Sequence, residues 1–514
     1  MREDWTECTF EDLLDYEQPT KYIVKSTKYS NNYKIPVLTA GKSFIKGYTN
    51  ETIGIFNDLP TIIFDDFTTA TQFVDFEFKV KSSAMKILVP TSKLVNMKFV
   101  YNCIQVNQVR NDTHKRYWIS VYAKKKIQLP PLVEQNAILA KTEEIFSDLD
   151  NGIATFKKAQ GQLKIYRQAV LKQAFEGELT KEWREKIAKT QDIAYQLPTA
   201  EELLKQIKEE RQNHYNQQIE NWKKAVKEWE KNGKVGKKPS KPRKLKELPS
   251  FSKDELNEFV PLPKNWIWSK VDKIIDHNPH SIKAGPFGSS LKKSFYVERG
   301  YKIYGQEQVI SGNHKLGNYY INEEKYQKLF SCAVKPKDAL ISLVGTIGKV
   351  LILPDDAEKG IINPRLIKIS FNRFYCPDFF KYYFESSYLK SLYAHKSHGA
   401  TMDIITLGII QELPFPLFSL QEQHQIVQEI ESRLSVCDKV EQSISESLEK
   451  AEALRQSILK KAFKGKLLNQ AEIEQCKQAA DYEPASELLK KIKTEKLAKE
   501  QEKKNLTTKK KSKK

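Results

Sequence analysis

The sequence has no run of 18 or more apolar residues, so it offers no helix able to cross a membrane. Its first ten residues are polar and acidic and lack the charged-then-apolar pattern of a secretory leader. Only six cysteines occur, at Cys8, Cys103, Cys332, Cys376, Cys437 and Cys476, and no two form a C-x-x-C pair. Such scatter argues against a disulfide framework or a zinc site and fits a reducing cytoplasm. Phosphate-loop chemistry is missing too. Gly41-Lys42-Ser43 looks like the end of a nucleotide-binding loop, but position 36 is Pro instead of the required glycine, and the spacing of Gly345 to Lys349 is also wrong. His395 and His398 stand three residues apart with no third ligand nearby, so no metal is expected.

What is present begins with size and charge. The 514 residues suffice for about three or four domains. Apolar residues make up 40% and aromatics 11%, enough for sizeable cores. The formal charge of +20 invites a nucleic-acid partner. Its distribution weakens that inference. Residues 205–248 hold 14 Lys/Arg against 6 Asp/Glu, and 496–514 hold 9 Lys against 2 Glu. These two polar stretches carry most of the excess, and a solvated linker with a lysine tail would give the same total.

The strongest signal is an internal repeat. Residues 134–179, from Glu134-Gln135 to AFEGEL, match 422–467, from Glu422-Gln423 to AFKGKL, without a gap, and 14 of the 46 positions are identical. Ala200-Glu-Glu-Leu-Leu-Lys likewise recurs as Ala485-Ser-Glu-Leu-Leu-Lys. The chain therefore reads A–B–A′–B′. Each B segment carries alternating steps of four and three. The first seam is Ile138, Thr142, Ile145, Leu149, Gly152, Phe156, Ala159, Leu163, Tyr166 and Val170; the second is Ile426, Ile430, Arg433, Cys437, Val440, Ile444, Ser447, Ala451, Leu454 and Ile458. That is the coiled-coil period. No proline interrupts either segment, prolines precede each, and Gly177 and Gly465 end them. A helix of some 42 residues is a rod of roughly 60 Å. Gly152, Arg433 and Ser447 make each seam weak alone, so the two rods are expected to pack on each other, antiparallel. The competing arrangement is a helical hairpin within each half.

The A segments, 1–130 and 261–412, read as mixed, with short β-branched strands such as ALISLVGTIGKVLIL at 339–353 and a helix rich in aromatics from Tyr375 to Leu392. Each opens with a tryptophan, Trp5 or Trp268, and carries Tyr-Lys-Ile. Beyond that they diverge, as two heads reading different sequences would.

At this point the residues resemble a known family, the specificity subunits of type I restriction–modification systems. GPFGSSL at 285–291 opens the second head, and Gly345-Thr-Ile-Gly348 follows a strand. PPLVEQ at 130–135 and FSLQEQ at 418–423 stand at the junctions, and both repeats end in LxxAFxGxL. PVLTAGKSFIKGYTN at 36–50, IIFDDFTT at 62–69 and FKVKSSAMKIL at 78–88 resemble one type of recognition domain. The resemblance spans nearly the whole chain, and the order and duplication of its motifs are more specific than any one of them. It implies an α+β chain with two mixed α/β target-recognition domains separated by two long helices packing as an antiparallel coiled coil. Recognition domains fall at 1–130 and 261–420, repeated helical spacers at 131–210 and 421–495, a charged linker at 211–260 and a lysine-rich disordered tail at 496–514. The resemblance further implies a non-catalytic cytoplasmic subunit that reads a bipartite duplex DNA target. Two adenine methyltransferase subunits would dock on it and translocase/nuclease subunits would join, those partners using S-adenosylmethionine, ATP and magnesium while this chain binds no cofactor.

The residues agree that the chemistry lies elsewhere. An adenine methyltransferase needs Asn-Pro-Pro-Tyr/Phe, whereas Asn278-Pro279-His280 and Asn363-Pro364-Arg365 both fail. Candidate DNA contacts are polar and basic residues on glycine-rich loops beside strands. In the first head they are Thr39, Lys42, Lys46, Tyr48, Lys81, Ser82, Arg110, Lys115 and Arg116. In the second they are Lys283, Ser289, Ser290, Lys292, Lys293, Gln306, Gln308, Thr346, Lys349, Lys396, His398 and Thr401. The competing reading of each is a solvated surface residue or a turn. Gly285, Gly288, Gly345 and Gly348 are expected to shape turns, and the aromatics from Phe374 to Tyr393 to fill a core. Two other functions compete: a coiled-coil scaffold with two protein-binding heads, and the specificity part of a fused restriction–methylation enzyme.

Overall fold

The computed structural model describes residues 2–39, 43–107, 116–189, 197–397 and 405–511. It divides into two compact units, Met1–Lys158 with Ser443–Lys514, and Ala159–Gln442. Two helices, Leu132–Phe175 and Leu420–Ala462, contribute to both. No helix among the described residues is long and apolar enough to cross a membrane.

In the first unit, a four-stranded antiparallel sheet runs in the order Leu14–Glu17, Met85–Pro90, Thr61–Asp65, Thr71–Val74. A smaller sheet sets Ile35–Leu38 between Ile45–Thr49 and Lys79–Val80. Strand Thr6–Thr9 pairs antiparallel with Lys126–Leu129, which leads into the first rod helix. Phe10, Phe64, Phe99, Trp118 and Tyr122 fill the core together with Ile138 from the opening of one rod and Ala462 from the close of the other. Two rod segments meeting start to end are antiparallel. Asp150 pairs with Arg455, and the guanidinium of Arg455 lies over Phe146, 4.5 Å from the ring centre.

In the second unit, one sheet orders Ile282–Ala284, Leu366–Ile369, Ala339–Ser342, Val350–Ile352. The other orders Tyr320–Ile321, Tyr301–Tyr304, Gly360–Ile362, Ala333–Val334. Strand Ile267–Ser269 clasps Phe415–Leu417, just ahead of the second rod helix. The aromatics expected in a core are there: Phe379, Phe380, Tyr383 and Phe384 pack with Phe175, Ile426 and Ile430. Here the close of the first rod meets the opening of the second, again antiparallel, and Arg167 bonds Asp438 at 2.6 Å and Glu441 at 3.0 Å.

The rods stop as their glycines require. Gly177 and Gly465 are left-handed at φ +74° and +69°. The following N–H groups, of Glu178 and Lys466, reach back to the carbonyls of Gln173 and Lys461, which closes a Schellman cap. The heptad seam holds on one of its two positions. Ile430, Cys437, Ile444, Ala451 and Ile458 are all buried, in steps of seven. At the other position Tyr166, Val440 and Leu454 are 46%, 42% and 51% exposed. Gly152, Arg433 and Ser447 share that position and give a facing helix no knob to receive, so the second stripe stays partly open.

A second repeated element follows each rod. Helix Ala200–Lys231 docks through Ala200, Leu203 and Ile207, and helix Ala485–Lys511 docks through Ala485, Leu488 and Ile492, the same three positions. One turn further on, Arg211 donates to the Asp272 carbonyl in the second unit, and Lys496 donates to the Glu11 carbonyl in the first at 2.6 Å. Helix Ala485–Lys511 takes in most of the lysine-rich tail whose composition suggested disorder. Lys, Glu, Ala and Leu all favour a helix once its start is fixed by packing.

Candidate nucleic-acid interface

Four loops meet on the second head, and Asn363 is where they join. A Cβ on Gly285 would collide with the Asn363 carbonyl, and one on Gly305 would crowd its side-chain amide. Asn363 donates its own N–H to the Tyr304 carbonyl at 2.9 Å, and its side-chain oxygen accepts from Arg365 N at 2.9 Å. Leu343 N donates to the Arg365 carbonyl at 3.1 Å. The Gln306 side chain donates to Ser342 Oγ at 2.9 Å and to the Val344 carbonyl, which leaves its oxygen facing Arg365 Nη1 at 3.4 Å. The loops at 285–290, 305–306, 343–348 and 363–365 therefore form one surface.

Within it the Gly-Thr-Ile-Gly turn is shaped by its glycines. Gly345 and Gly348 have φ of +74° and +73°. Gly348 also lies against the Tyr393 hydroxyl, where no side chain fits. This leaves Thr346 at the exposed tip. Phe287 is 88% exposed, a large apolar ring set among serines and glycines. Ser289 is exposed and Ser290 half-buried, and Lys292 and Lys293 are exposed just beyond. Lys349 is tied to Glu385 at 3.1 Å. Gln308 is fully buried: its oxygen accepts from Gly305 N at 2.7 Å and its amide donates to the Leu316 carbonyl at 2.7 Å. It shapes the loop that presents Gln306 and turns no polar atom outward.

The first head gathers a smaller group. Strands Ile35–Leu38 and Lys79–Val80 are parallel, so the residues that follow them emerge at one end of the sheet. Lys81 N donates to the Leu38 carbonyl at 3.0 Å, which sets Lys81 and Ser82 beside Thr39. Thr39 Oγ1 donates to the Ser43 carbonyl at 2.9 Å across the hairpin. Lys46 and Tyr48 lie along the outer strand, next to a register shift between Val37 and Leu38. Arg116 stands apart from these, exposed ahead of a helical turn fixed by Asp66, whose carboxylate accepts from Trp118 N at 2.8 Å. Lys42, Arg110, Lys115, His398 and Thr401, and the side chain of Lys396, lie outside the described residues.

Both heads are held to the rods by the same chemistry. Glu134 accepts from Trp5 Nε1 at 3.1 Å and pairs with Arg2. Glu422 accepts from Trp266 Nε1 at 3.0 Å and pairs with Arg184. The neighbouring glutamines repeat as well: Gln135 donates to the Pro130 carbonyl at 2.8 Å and Gln423 to the Phe418 carbonyl at 2.9 Å. Burial pushes the Glu134 carboxyl up, against the pull of Arg2 and Trp5.

Comparison with known proteins matches this duplicated plan. The type I restriction modification DNA specificity domain is matched over residues 287–450. The EcoR124I/EcoR124II specificity subunit of Escherichia coli is 44% identical over 162 residues, 30% of this chain and 40% of that relative. The chain is similar to the specificity subunits of type I restriction–modification systems. The EcoBI specificity subunit of Escherichia coli is 24% identical over 72% of this chain and 65% of its own length. The chain thus spans less than two thirds of these two relatives. A solved chain from work on complex assembly and conformational transition of the type I R-M system shares the fold, with a TM-score of 0.57 at 15% identity over 91% of this chain and 99% of that one. The family is one of non-catalytic recognition subunits.

Some residues of these sites carry no mark of their role in the sequence. In sequence Asn363-Pro364-Arg365 reads only as a failed methyltransferase motif, yet Asn363 joins the loops and Arg365 lies exposed beside Gln306. Phe287 sits inside GPFGSSL without any pattern to mark it. Trp266, not Trp268, is the counterpart of Trp5 at the anchor. The duplicated Glu-Gln could have pointed to that partner.

Proposed function

We propose that this chain is the sequence-reading component of a type I complex, each head gripping one half of a split duplex DNA target. Support comes from one observation above all. Two divergent heads are fixed to antiparallel rods through the same Trp–Glu–Arg anchor, a plan suited to holding two readers on a stiff spacer. Arg365 is the best placed to read a base edge, since arginine can bond guanine in bidentate fashion, and Gln306, whose amide donates inward, contributes its oxygen beside that guanidinium. Ser289, Ser290, Lys292, Lys293, Thr346, Thr39, Lys46, Tyr48, Lys81, Ser82 and Arg116 are the proposed backbone and groove contacts, and Gln308 supports them from within. Lys283 and Lys349 complete the set.

The rods would dock two adenine methyltransferase subunits, with translocase/nuclease subunits joining for restriction. S-adenosylmethionine, ATP and magnesium belong to those partners in this reading, and the chain itself binds no cofactor. Its place of work is the cytoplasm, in keeping with six free, buried cysteines. The test is a map of N6-methyladenine across the source genome with and without the gene. Loss of methylation at one split motif is expected. An unchanged map in cells that express the complex would overturn the reading.

A further inference from the structure

The segment that composition marks as a linker is folded back on the helix it follows. Trp222 Nε1 donates to the Pro239 carbonyl at 3.0 Å and Trp229 Nε1 to that of Gly236 at 3.2 Å. The chain then runs extended along the second head. Leu245 and Leu248 pack against its core, while Lys241, Arg243, Lys244 and Lys246 are exposed. These four border a cleft of about 890 Å³ whose other wall includes His280 and Lys283. Lys283 is paired across the sheet with Lys368, which adds a second cation behind the wall. One acid lines the cleft, Asp272, and it is already bonded by Lys273 at 2.6 Å and by Leu248 N at 3.2 Å. Among the described residues none of the five lining cations is ion-paired; Lys244 reaches only the Gln212 amide oxygen at 3.3 Å.

Five unpaired cations held around a cleft repel one another, and a fold keeps such an arrangement where a polyanion neutralises it. The four on the extended segment span at most ~17 Å. Duplex DNA carries one negative charge per ~1.7 Å of its axis, so several phosphates fall within that reach. The apolar side chains Leu245, Leu248, Val271 and Ile275 of the cleft belong to or pack against the core of the head, and the charged groups left exposed at its edge are the cations.

We propose that this cleft binds the sugar–phosphate backbone of duplex DNA and adds affinity without sequence preference, as a clamp beside the reading loops of the second head. It rests on the reading of the chain as a DNA-binding subunit. The occupied state has phosphates between the 241–246 segment and Lys283, with the tryptophan bonds of the helix keeping the segment in place.

The test uses the full-length chain and a duplex carrying its methylated motif, beside a scrambled duplex of the same length. The variant carries Lys241→Gln, Arg243→Gln, Lys244→Gln and Lys246→Gln, all at exposed positions. A control variant carries Lys315→Gln, Lys328→Gln, Lys337→Gln and Lys359→Gln, elsewhere on the same head. Binding is titrated across salt concentrations. The slope of log affinity against log salt is expected to fall by about 3 to 4 for the first variant, at about 0.9 per lost contact. The ratio of motif to scrambled affinity should hold, and the control should follow the parent. An unchanged slope, or an equal fall in the control, overturns the clamp alone. Failure of the parent chain to bind any duplex overturns the clamp together with the reading beneath it.

Discussion

The indole N–H of Trp266 donates to Glu422 at 3.0 Å where both side chains are buried, and Glu422 also accepts from Thr180 Oγ1 at 2.8 Å. One carboxylate thus ties the entry to the second head, the turn after the first rod and the start of the second rod. Removing it leaves the indole without an acceptor and the Arg184 guanidinium with only the Gly177 carbonyl and the Thr180 hydroxyl, and no opposing charge. Glu422→Ala is expected to cost about 3–5 kcal/mol, as for other buried pairs broken on one side. Glu422→Gln keeps an acceptor for the indole and should cost about 1–3 kcal/mol. Urea unfolding followed by tryptophan fluorescence checks both, and equal losses in the two variants would show that the charge carries the whole anchor.

The Gly-Thr-Ile-Gly turn separates conformational strain from crowding. Gly345 has open space around it and Gly348 does not, though their φ angles match. Gly345→Ala should cost only the left-handed strain, about 1–2 kcal/mol. Gly348→Ala should cost more, and adding Tyr393→Phe should recover part of the difference. Thermal unfolding of the four proteins decides this. If Gly345→Ala proves as harmful as Gly348→Ala, the tyrosine plays no part.

Gln306, Gln308 and Arg365 are predicted to behave differently though they share a small region. Arg365→Gln should leave stability nearly unchanged and Gln306→Ala should lower it by only about 0.5–1.5 kcal/mol through its lost loop bonds, and both should relax selectivity at a base pair by about 1–3 kcal/mol. Gln308→Ala removes buried bonds to Gly305 and Leu316 and should lower stability instead. A binding screen over single-base variants of the motif, run beside unfolding curves, distinguishes the two outcomes.

Much of this fold was legible in the sequence because its repeat is literal. The 14 identities between 134–179 and 422–467 located both rods, and Gly177 and Gly465 marked where they stop. The seam was legible only in part. A heptad pattern names two inward positions, but which of them is covered depends on the facing helix, as Tyr166 and Leu454 show. The surface proposed to read DNA was less legible still. Gly285 and Gly345 mark turns in any sequence, but the junction at Asn363 joins strands more than sixty residues apart, and no local pattern records that. Gln308 and Gln306 are alike in sequence, and only burial tells the supporting one, fully buried, from the half-buried one beside Arg365.

His280 offers a pH readout of the cleft. Burial lowers its pKa below the ordinary 6.5, and Lys283, Lys368 and Arg243 push it further the same way. The imidazole of the free protein is therefore neutral at pH 7. Because the folded value lies below the unfolded one, this residue costs stability as pH falls through 6.5 toward the folded value. Phosphates in the cleft would reverse the local potential and raise the pKa. Proton NMR of the His280 ring should show its midpoint rise on adding duplex DNA, and a static midpoint would count against phosphates at this wall.

The two-stranded clasps have a consequence for how such a chain can change. Thr6 faces Leu129 and Ile267 faces Leu417, so each head is entered and left through adjacent strands. Everything between them is an excursion that returns to its starting point. Exchange of residues 10–125 or 270–414 for another excursion of different length and sequence requires that the clasp, the Trp–Glu bond and the packing on Ile138 and Ala462 or on Phe175, Ile426 and Ile430 survive. On the function proposed above, new vocabulary would then be acquired one head at a time, by a single crossover at each end of one cassette, while the frame that carries it stays as it was.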